Sequence, residues 1–327
     1  VSPAPAGGRG FDRADAWDDV RALVLGGGHA AFAVADNLSH LGATVLLRSE
    51  DTAEAGGERA ELLGMLGIDV ALGTAATEAD LEGTGLVVVA PGAGEQEPEA
   101  FLAHADRTGV PVLGELDLAW RLRDPAGAPP WLVVAGAPSE SAAELLGAMF
   151  GAAGVPAVLA GSVGLPLVEA VMDPSPYRVV VASLDDRMLA RAGGMHAHSA
   201  ALLTGRPALL GRVYADVEVA CIYAVDDPDT EDLVREADVV EGARAIGLTR
   251  GTPGLSMLGV VEDVLADRAF VTDRRTSAAE LGVLADLART SDDFVTAALA
   301  AAALARAFGL EPAAVRAGLR GYRPDGA

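Results

Sequence analysis

Residues Trp131–Ala135 form an unbroken apolar run, and a tight turn follows at once: Gly136-Ala137-Pro138-Ser139-Glu140-Ser141. Apolar positions then continue at helical spacing to Phe150. Strand, turn and helix in this order build the frame in which α/β folds bind phosphate, because the helix start offers unpaired amides and the positive end of a dipole. The contents of this turn do not suit phosphate. A phosphate loop carries lysine where Glu140 stands, and all 24 cationic side chains of the chain are arginine. Any mechanism that needs a lysine ammonium, a Schiff base or a carbamylated lysine is excluded.

The same unit opens the chain. Val20–Leu25, apolar but for Arg21, reads as a buried parallel strand. Gly26-Gly27-Gly28 follows, then a helix over His29–Leu41 and a second strand at Thr44–Leu47. A dinucleotide fingerprint wants a third glycine near Ala31 and an acid closing the second strand, where Ser49 stands. Both a plain structural turn and a nucleotide contact remain open there. Helices over Glu58–Leu66, Glu99–Thr108 and Glu115–Arg123 alternate with strands at Asp69–Leu72, Gly85–Ala90 and Pro111–Leu113. Pro91-Gly92-Ala93-Gly94 makes a turn at a strand end, where α/β sheets bind ligands.

Asp124–Pro130, rich in Pro, Gly and Ala, reads as a linker, which sets a first domain over 18–128 and a second over 129–322. The Pro/Gly/Ala-rich start reads as a disordered tail over 1–17, and 323–327 as the end of a linker. The second domain carries strands at Trp131–Ala135, Ala157–Ala160, Tyr177–Ala182, Ser199–Leu203 and Val217–Val225. Its helices are Glu140–Ala153 with Ser139 as N-cap, Pro166–Val171, Asp229–Ala237, Ala278–Ala285, Asp292–Phe308 and Glu311–Leu319. Leu258–Val261 and Val264–Asp267 read as a hairpin.

A formal net charge of −23 argues against nucleic acid as a partner. No apolar run is long enough to span a bilayer, so a cytoplasmic location is expected. The lone Cys221, in an apolar alternating run, reads as a buried core thiol.

Several segments carry a resemblance: GVPVLGELDLAWRL (109–122), VGLPLVEAV (163–171), HSAALL (198–203), VACIYAVDDPDTEDLVREADV (219–239), GTPGLSMLGVVEDVLADRAF (251–270) and ALAAAALARAFGLEPAAVRAGLRGYRP (298–324). In these the chain resembles the UDP-N-acetylmuramoyl-L-alanine:D-glutamate ligases (MurD) among the Mur ligases, above all their actinobacterial forms. The resemblance implies an α/β protein with a Rossmann-like N-terminal domain for the UDP-sugar, followed by a P-loop-type Mur ligase central domain for ATP and magnesium. The family's third, C-terminal domain, which binds the amino acid, has no counterpart in these residues.

The departures from the family pattern fall on its chemistry. Its phosphate loop, G-T-N-G-K-T/S, matches here only at Gly136 and Ser141; Ala137, Pro138, Ser139 and Glu140 differ. At about 4 Å and an effective dielectric near 20, a unit charge pair is worth roughly 4 kcal/mol, so a carboxylate in place of an ammonium is a swing on the order of 8 kcal/mol against polyphosphate. Pro138 also removes an amide from a loop that works by amides. The family's magnesium-binding glutamate falls on Ser183. Its H-N-x-x-N falls on Asp293, Phe294 and Ala297. Its histidine, aspartates and carbamylated lysine are missing from a shortened Thr204–Val213 stretch. The resemblance leaves UDP-sugar contacts at Gly27, Gly28, Arg48, Pro91, Gly92 and Ser162.

The expectation is a catalytically inactive MurD-like protein without ATP, metal or other cofactor, acting as a binding or regulatory partner for a protein, a UDP-sugar or another small molecule. The alternatives are an enzyme of changed chemistry in the inter-domain cleft, with Asp185, Asp186, His196 and His198 as weak catalytic candidates, and a genuine ligase fragment.

Overall fold

The computed structural model describes residues 10–52, 57–91, 99–124 and 126–324. They form two compact units. The first comprises the chain to Ala128 with Pro166–Pro174 and Ala190–Gly193; the second comprises Pro129–Leu165, Ser175–Leu189 and the chain from Gly194 onward.

In the first unit, β1 (Arg21–Leu25), β2 (Thr44–Ser49), β3 (Asp69–Leu72), β4 (Leu86–Val89) and β5 (Val112–Gly114) build a five-stranded sheet in the order β3-β2-β1-β4-β5. Every pair is parallel. β1 lies at the centre, so both of its faces need cover, and Ala22, Leu23 and Val24 are fully buried. The cover comes from α1 (His29–His40), α2 (Gly57–Met65), α3 (Glu99–Arg107) and α4 (Glu115–Leu122). Ala31, Phe32, Ala35 and Leu38 recur at helical spacing and form the buried stripe of α1. Phe11 and Trp17 are also buried, with ring centroids 5.9 Å apart, and Arg121 donates to the Gly10 carbonyl. Residues 10–17 are therefore part of the fold. The tail reading fails there because two aromatic anchors outweigh a composition biased to small residues; the remainder of that tail and the last three residues lie outside the described residues.

The second unit holds a nine-stranded sheet, ordered β14-β13-β12-β11-β10-β9-β6-β8-β7. Its strands are β6 (Trp131–Ala135), β7 (Ala157–Gly161), β8 (Val179–Leu184), β9 (Ser199–Leu202), β10 (Ala220–Ala224), β11 (Arg244–Leu248), β12 (Met257–Val261), β13 (Val264–Asp267) and β14 (Ala279–Val283). Pairing is parallel from β7 through β12 and antiparallel beyond. The helices of this stretch of chain are α5 (Ser139–Ala152), α6 (Leu167–Met172), α7 (Asp186–Ala190), α8 (Pro228–Glu236), α9 (Asp292–Phe308) and α10 (Pro312–Gly321). Of these, α6 packs on α1 and α4 within the first unit. α5 packs on α9 and α10. The alanines of α9 from Ala297 to Ala305 are all buried, and such short side chains let two helices approach closely with little rotamer entropy lost.

Two strands differ from the sequence reading, and the short α7 has no expected counterpart. Ala278–Ala285 is read as a helix from its strong helix formers, yet Ala279–Val283 is β14, paired antiparallel with β13. The open edge of β13 supplies backbone partners, and pairing outweighs a propensity of a few tenths of a kcal/mol per residue. β11, interrupted by Gly247, has no expected counterpart; it pairs with β10 and β12 inside the parallel sheet.

Candidate functional site

The turn after β6 is shaped by contact with its neighbours. Gly136 has φ +78°, and a Cβ there would lie 2.7 Å from Thr204 Cγ2 and 2.9 Å from the Thr204 amide nitrogen. Glycine is thus required by the backbone irrespective of any ligand. Pro138, not Ser139, is the N-cap of α5, and no side chain caps the helix. Ser139 is the first helical residue, and its hydroxyl accepts a hydrogen bond from Ser183 Oγ at 3.1 Å. Ser183, on β8, is fully buried. Glu140 is exposed in the first turn of α5, where the positive end of the helix favours its carboxylate.

Beside this turn a cavity of about 240 Å³ opens at the C-terminal ends of the parallel strands. Its apolar lining is Ala137 and Pro138 from the turn, Leu203 after β9, Ala224 of β10, Leu248 of β11 and Leu299 of α9. Its polar lining includes four carboxylates, Asp226, Asp227, Asp292 and Asp293, and one guanidinium, Arg250. Asp227 caps α8: one oxygen accepts from the Asp229 amide at 3.1 Å and the other from the Gly205 amide at 3.0 Å. Asp292 and Asp293 occupy the first turn of α9. Arg250 Nε donates to Asp226 at 3.3 Å and its Nη1 to Asp292. These hydrogen bonds, to Asp226 first and to Asp292 next, raise the guanidinium above its usual pKa. Asp293 has no hydrogen-bond or ion-pair partner among the described residues.

Three helix starts, those of α5, α8 and α9, therefore each carry a built-in carboxylate. A helix start is an anion site because its first amides lack partners and its dipole is positive. Here the chain supplies the anions itself.

The four catalytic candidates do not converge. Asp185 Oδ1 accepts from the Met188 amide at 2.8 Å and closes the first turn of α7, which Asp186 opens. His196 faces Asp216 at 3.9 Å. His198 Nδ1 lies 3.1 Å from Ser199 Oγ, and its ring is 5.9 Å from that of Phe308. Among the described residues no group of three His, Cys, Asp or Glu side chains is placed to hold a metal ion. No described helix is long and apolar enough to cross a membrane.

Burial lowers the pKa of His198 from its ordinary 6.5, with Glu218 opposing. The folded state thus holds it neutral while the unfolded chain protonates it. Stability is present above pH of about 6.5 and is lost as pH falls from there through the folded pKa. Urea midpoints at pH 7.5 and 5.5 are expected to show a smaller drop for His198→Gln than for the parent; equal drops would contradict the assignment. Burial also pushes the Cys221 thiol up to about 12, in keeping with a core thiol.

Of the expected UDP-sugar contacts, Arg48 is already engaged. Its Nε donates to Asp80 at 2.9 Å, its Nη2 to Asp69 at 3.0 Å and its Nη1 to the Leu47 and Asp69 carbonyls. A Cβ on Gly27 would lie 2.3 Å from Ser49 Oγ and 2.6 Å from Asp51 Oδ2, so these side chains sit close over the turn. Gly28 is the N-cap of α1. Pro91 follows β4, and Gly92 lies outside the described residues. Ser162 Oγ is buried without a hydrogen-bond partner among the described residues.

No protein-family model matches the chain. A UDP-N-acetylmuramoylalanine–D-glutamate ligase of Streptomyces avermitilis is 43% identical over 323 residues, covering 94% of this chain and 68% of that protein. The enzyme of the same name from Streptomyces coelicolor is 42% identical over 318 residues, covering 92% and 67%. Among solved structures, UDP-N-acetylmuramate:L-alanyl-γ-D-glutamyl-meso-diaminopimelate ligase from Neisseria meningitides aligns with a TM-score of 0.61 at 14% identity, covering 93% of this chain and 98% of that one. UDP-N-acetylmuramate–alanine ligase MurC from Thermotoga maritima aligns with a TM-score of 0.51 at 16% identity, covering 93% and 68%. At such identities the structural likeness speaks for the fold alone.

Proposed function

The chain belongs to the UDP-N-acetylmuramoylalanine–D-glutamate ligase family of the Mur ligases, and we propose that it serves peptidoglycan precursor metabolism as a binding or regulatory protein and not as an ATP-driven ligase. The observation that carries this reading is the set of carboxylates at the helix starts around the second unit's cavity. Asp227, Asp292 and Asp293 line the cavity and Glu140 lies in the first turn of α5 beside it, which supports a site unfavourable to polyphosphate. Each carboxylate about 4 Å from a phosphate charge costs about 4 kcal/mol at an effective dielectric near 20. With no lysine in the chain, arginine alone is left to offset this, and Arg250 is shared between two of the carboxylates.

Loss of magnesium chemistry is part of the same reading. Ser183 is buried against Ser139, and its hydroxyl is a poor substitute for a carboxylate toward a hard dication. The packing around these positions is intact, which fits a protein kept as a folded object. Asp185 serves its own helix, so the changed-enzyme alternative gains nothing from the geometry.

A direct test is phosphate release. Incubated with ATP, magnesium, D-glutamate and UDP-N-acetylmuramoyl-L-alanine, the protein is expected to give no more phosphate than a protein-free control. ATP-saturable release would overturn the proposal.

A further inference from the structure

We propose that the first unit holds its own nucleotide crevice shut: Asp51 lays its carboxylate on the glycine turn before α1, in the path of a nucleotide diphosphate. This goes beyond the reading above, which rests on the second unit, and it stands or falls separately.

Topology sets the place. In the order β3-β2-β1-β4-β5 the direction of winding reverses between β1 and β4. The crevice outside the carboxyl ends of such a pair is where open parallel sheets hold nucleotides. Gly26-Gly27-Gly28 makes the turn from β1 into α1 at this point, with Gly26 at φ +132° and Gly28 as the N-cap. A glycine turn here lets a diphosphate approach the first amides of the helix.

The corner after β2 closes on that turn. A Cβ on Gly27 would lie 2.3 Å from Ser49 Oγ, 2.6 Å from Asp51 Oδ2 and 2.9 Å from Asp51 Cβ. Gly27 is glycine because the chain's own serine and aspartate pack on it. The corner is also pinned. The Ser49 hydroxyl accepts from the Asp51 amide at 3.0 Å. The Ser49 and Asp51 carbonyls accept from the Thr74 and Gly73 amides, just after β3, at 2.8 and 2.7 Å. Ser49 itself is buried. The Asp51 carboxylate is therefore positioned by the sheet and not by a swinging loop.

The surrounding charges act in the same direction. Arg48, which could neutralise Asp51 or meet a phosphate, is bound to Asp80 and Asp69. His29, the first residue of α1, faces the Glu169 carboxylate of α6 at 3.5 Å. The helix end that would attract a diphosphate is thus flanked by two carboxylates of the same unit.

Calorimetric titration of the full chain with UDP, in the presence of a magnesium chelator, tests the closure. The parent is expected to give no saturable heat up to millimolar UDP. Asp51→Asn removes the charge at nearly constant size, and Asp51→Gly also clears the space. Both are expected to bind UDP at least about tenfold more tightly than that limit, the scale of one removed charge repulsion, with Asp51→Gly the tighter. Circular dichroism checks that both fold. Uridine, which lacks the diphosphate, is expected to gain nothing from either substitution. The proposal fails if the parent binds UDP as tightly as Asp51→Gly, if neither variant binds better than the parent, or if uridine gains as much as UDP. It also fails if the parent binds NAD⁺ and Asp51→Asn does not, because Asp51 would then be a partner for ribose hydroxyls. The reading of the second unit fails by magnesium-dependent ATP turnover, which this titration does not measure.

Discussion

Arg306→Ala is expected to lower the stability of the second unit by about 3–5 kcal/mol, because it leaves a buried carboxylate without its cation. Asp267, at the end of β13, is fully buried, and Arg306, near the end of α9, is 10% exposed. Arg306 Nε donates to Asp267 Oδ2 at 3.0 Å. The other carboxylate oxygen accepts from the Ala269 and Phe270 amides, both at 2.8 Å. The guanidinium also donates to the Phe270 and Leu310 carbonyls. One side chain thus joins the sheet to the helix that covers it, and its removal takes a partner from Asp267 and from both carbonyls. Urea unfolding measures the loss. A drop under about 1 kcal/mol, the range of exposed pairs, would mean that the pair is solvated. Replacing both partners, Asp267→Leu with Arg306→Met, is expected to cost less than Arg306→Ala alone, since no charge is then stranded.

Gly161→Ala is the second large effect, about 3 kcal/mol or more. Gly161 ends β7 with φ +98°, a region that side-chain-bearing residues avoid. A Cβ there would lie 2.2 Å from the Ser183 carbonyl oxygen, and backbone must move to admit it. The expected consequence reaches the site, because the moved residue is Ser183, whose hydroxyl packs on Ser139 at the start of α5. Gly64→Ala is a control: the same methyl meets nothing within 4 Å. Thermal unfolding of the two variants is expected to separate them by many degrees. Equal midpoints would show that the β7–β8 contact is looser than described.

Much of the fold is legible in the chain because buried parallel strands write themselves as continuous apolar runs. Ala22–Leu25, within the expected Val20–Leu25, and Trp131–Ala135 are such runs, and both are interior strands of their sheets. Elements whose state depends on a distant partner are not legible. β14 is a strand because β13 has an open edge, and no local pattern in Ala279–Val283 says so. The assignment of Pro166–Pro174 and Ala190–Gly193 to the first unit is of the same kind.

The site divides in the same way. Glu140 and Pro138 stand out within one turn. Asp226, Asp227 and Arg250 do not, because the ends of β10 and β11 meet the α5 turn only through the strand order. One signal was available: Asp227-Pro228 is the capping aspartate and first-turn proline of a helix start, and helix starts at strand ends mark ligand positions. Ser139 misleads for the opposite reason. Its type favours an N-cap, but the buried Ser183 hydroxyl claims it first.

On the proposed function, the chain's own carboxylates take the place of nucleotide phosphates at the helix starts. Calorimetric titration of the protein with ATP and magnesium tests it most directly. The account predicts no saturable heat up to millimolar ATP, with or without magnesium. Magnesium-dependent binding with a dissociation constant below about 1 mM, worth more than about 4 kcal/mol, would contradict it.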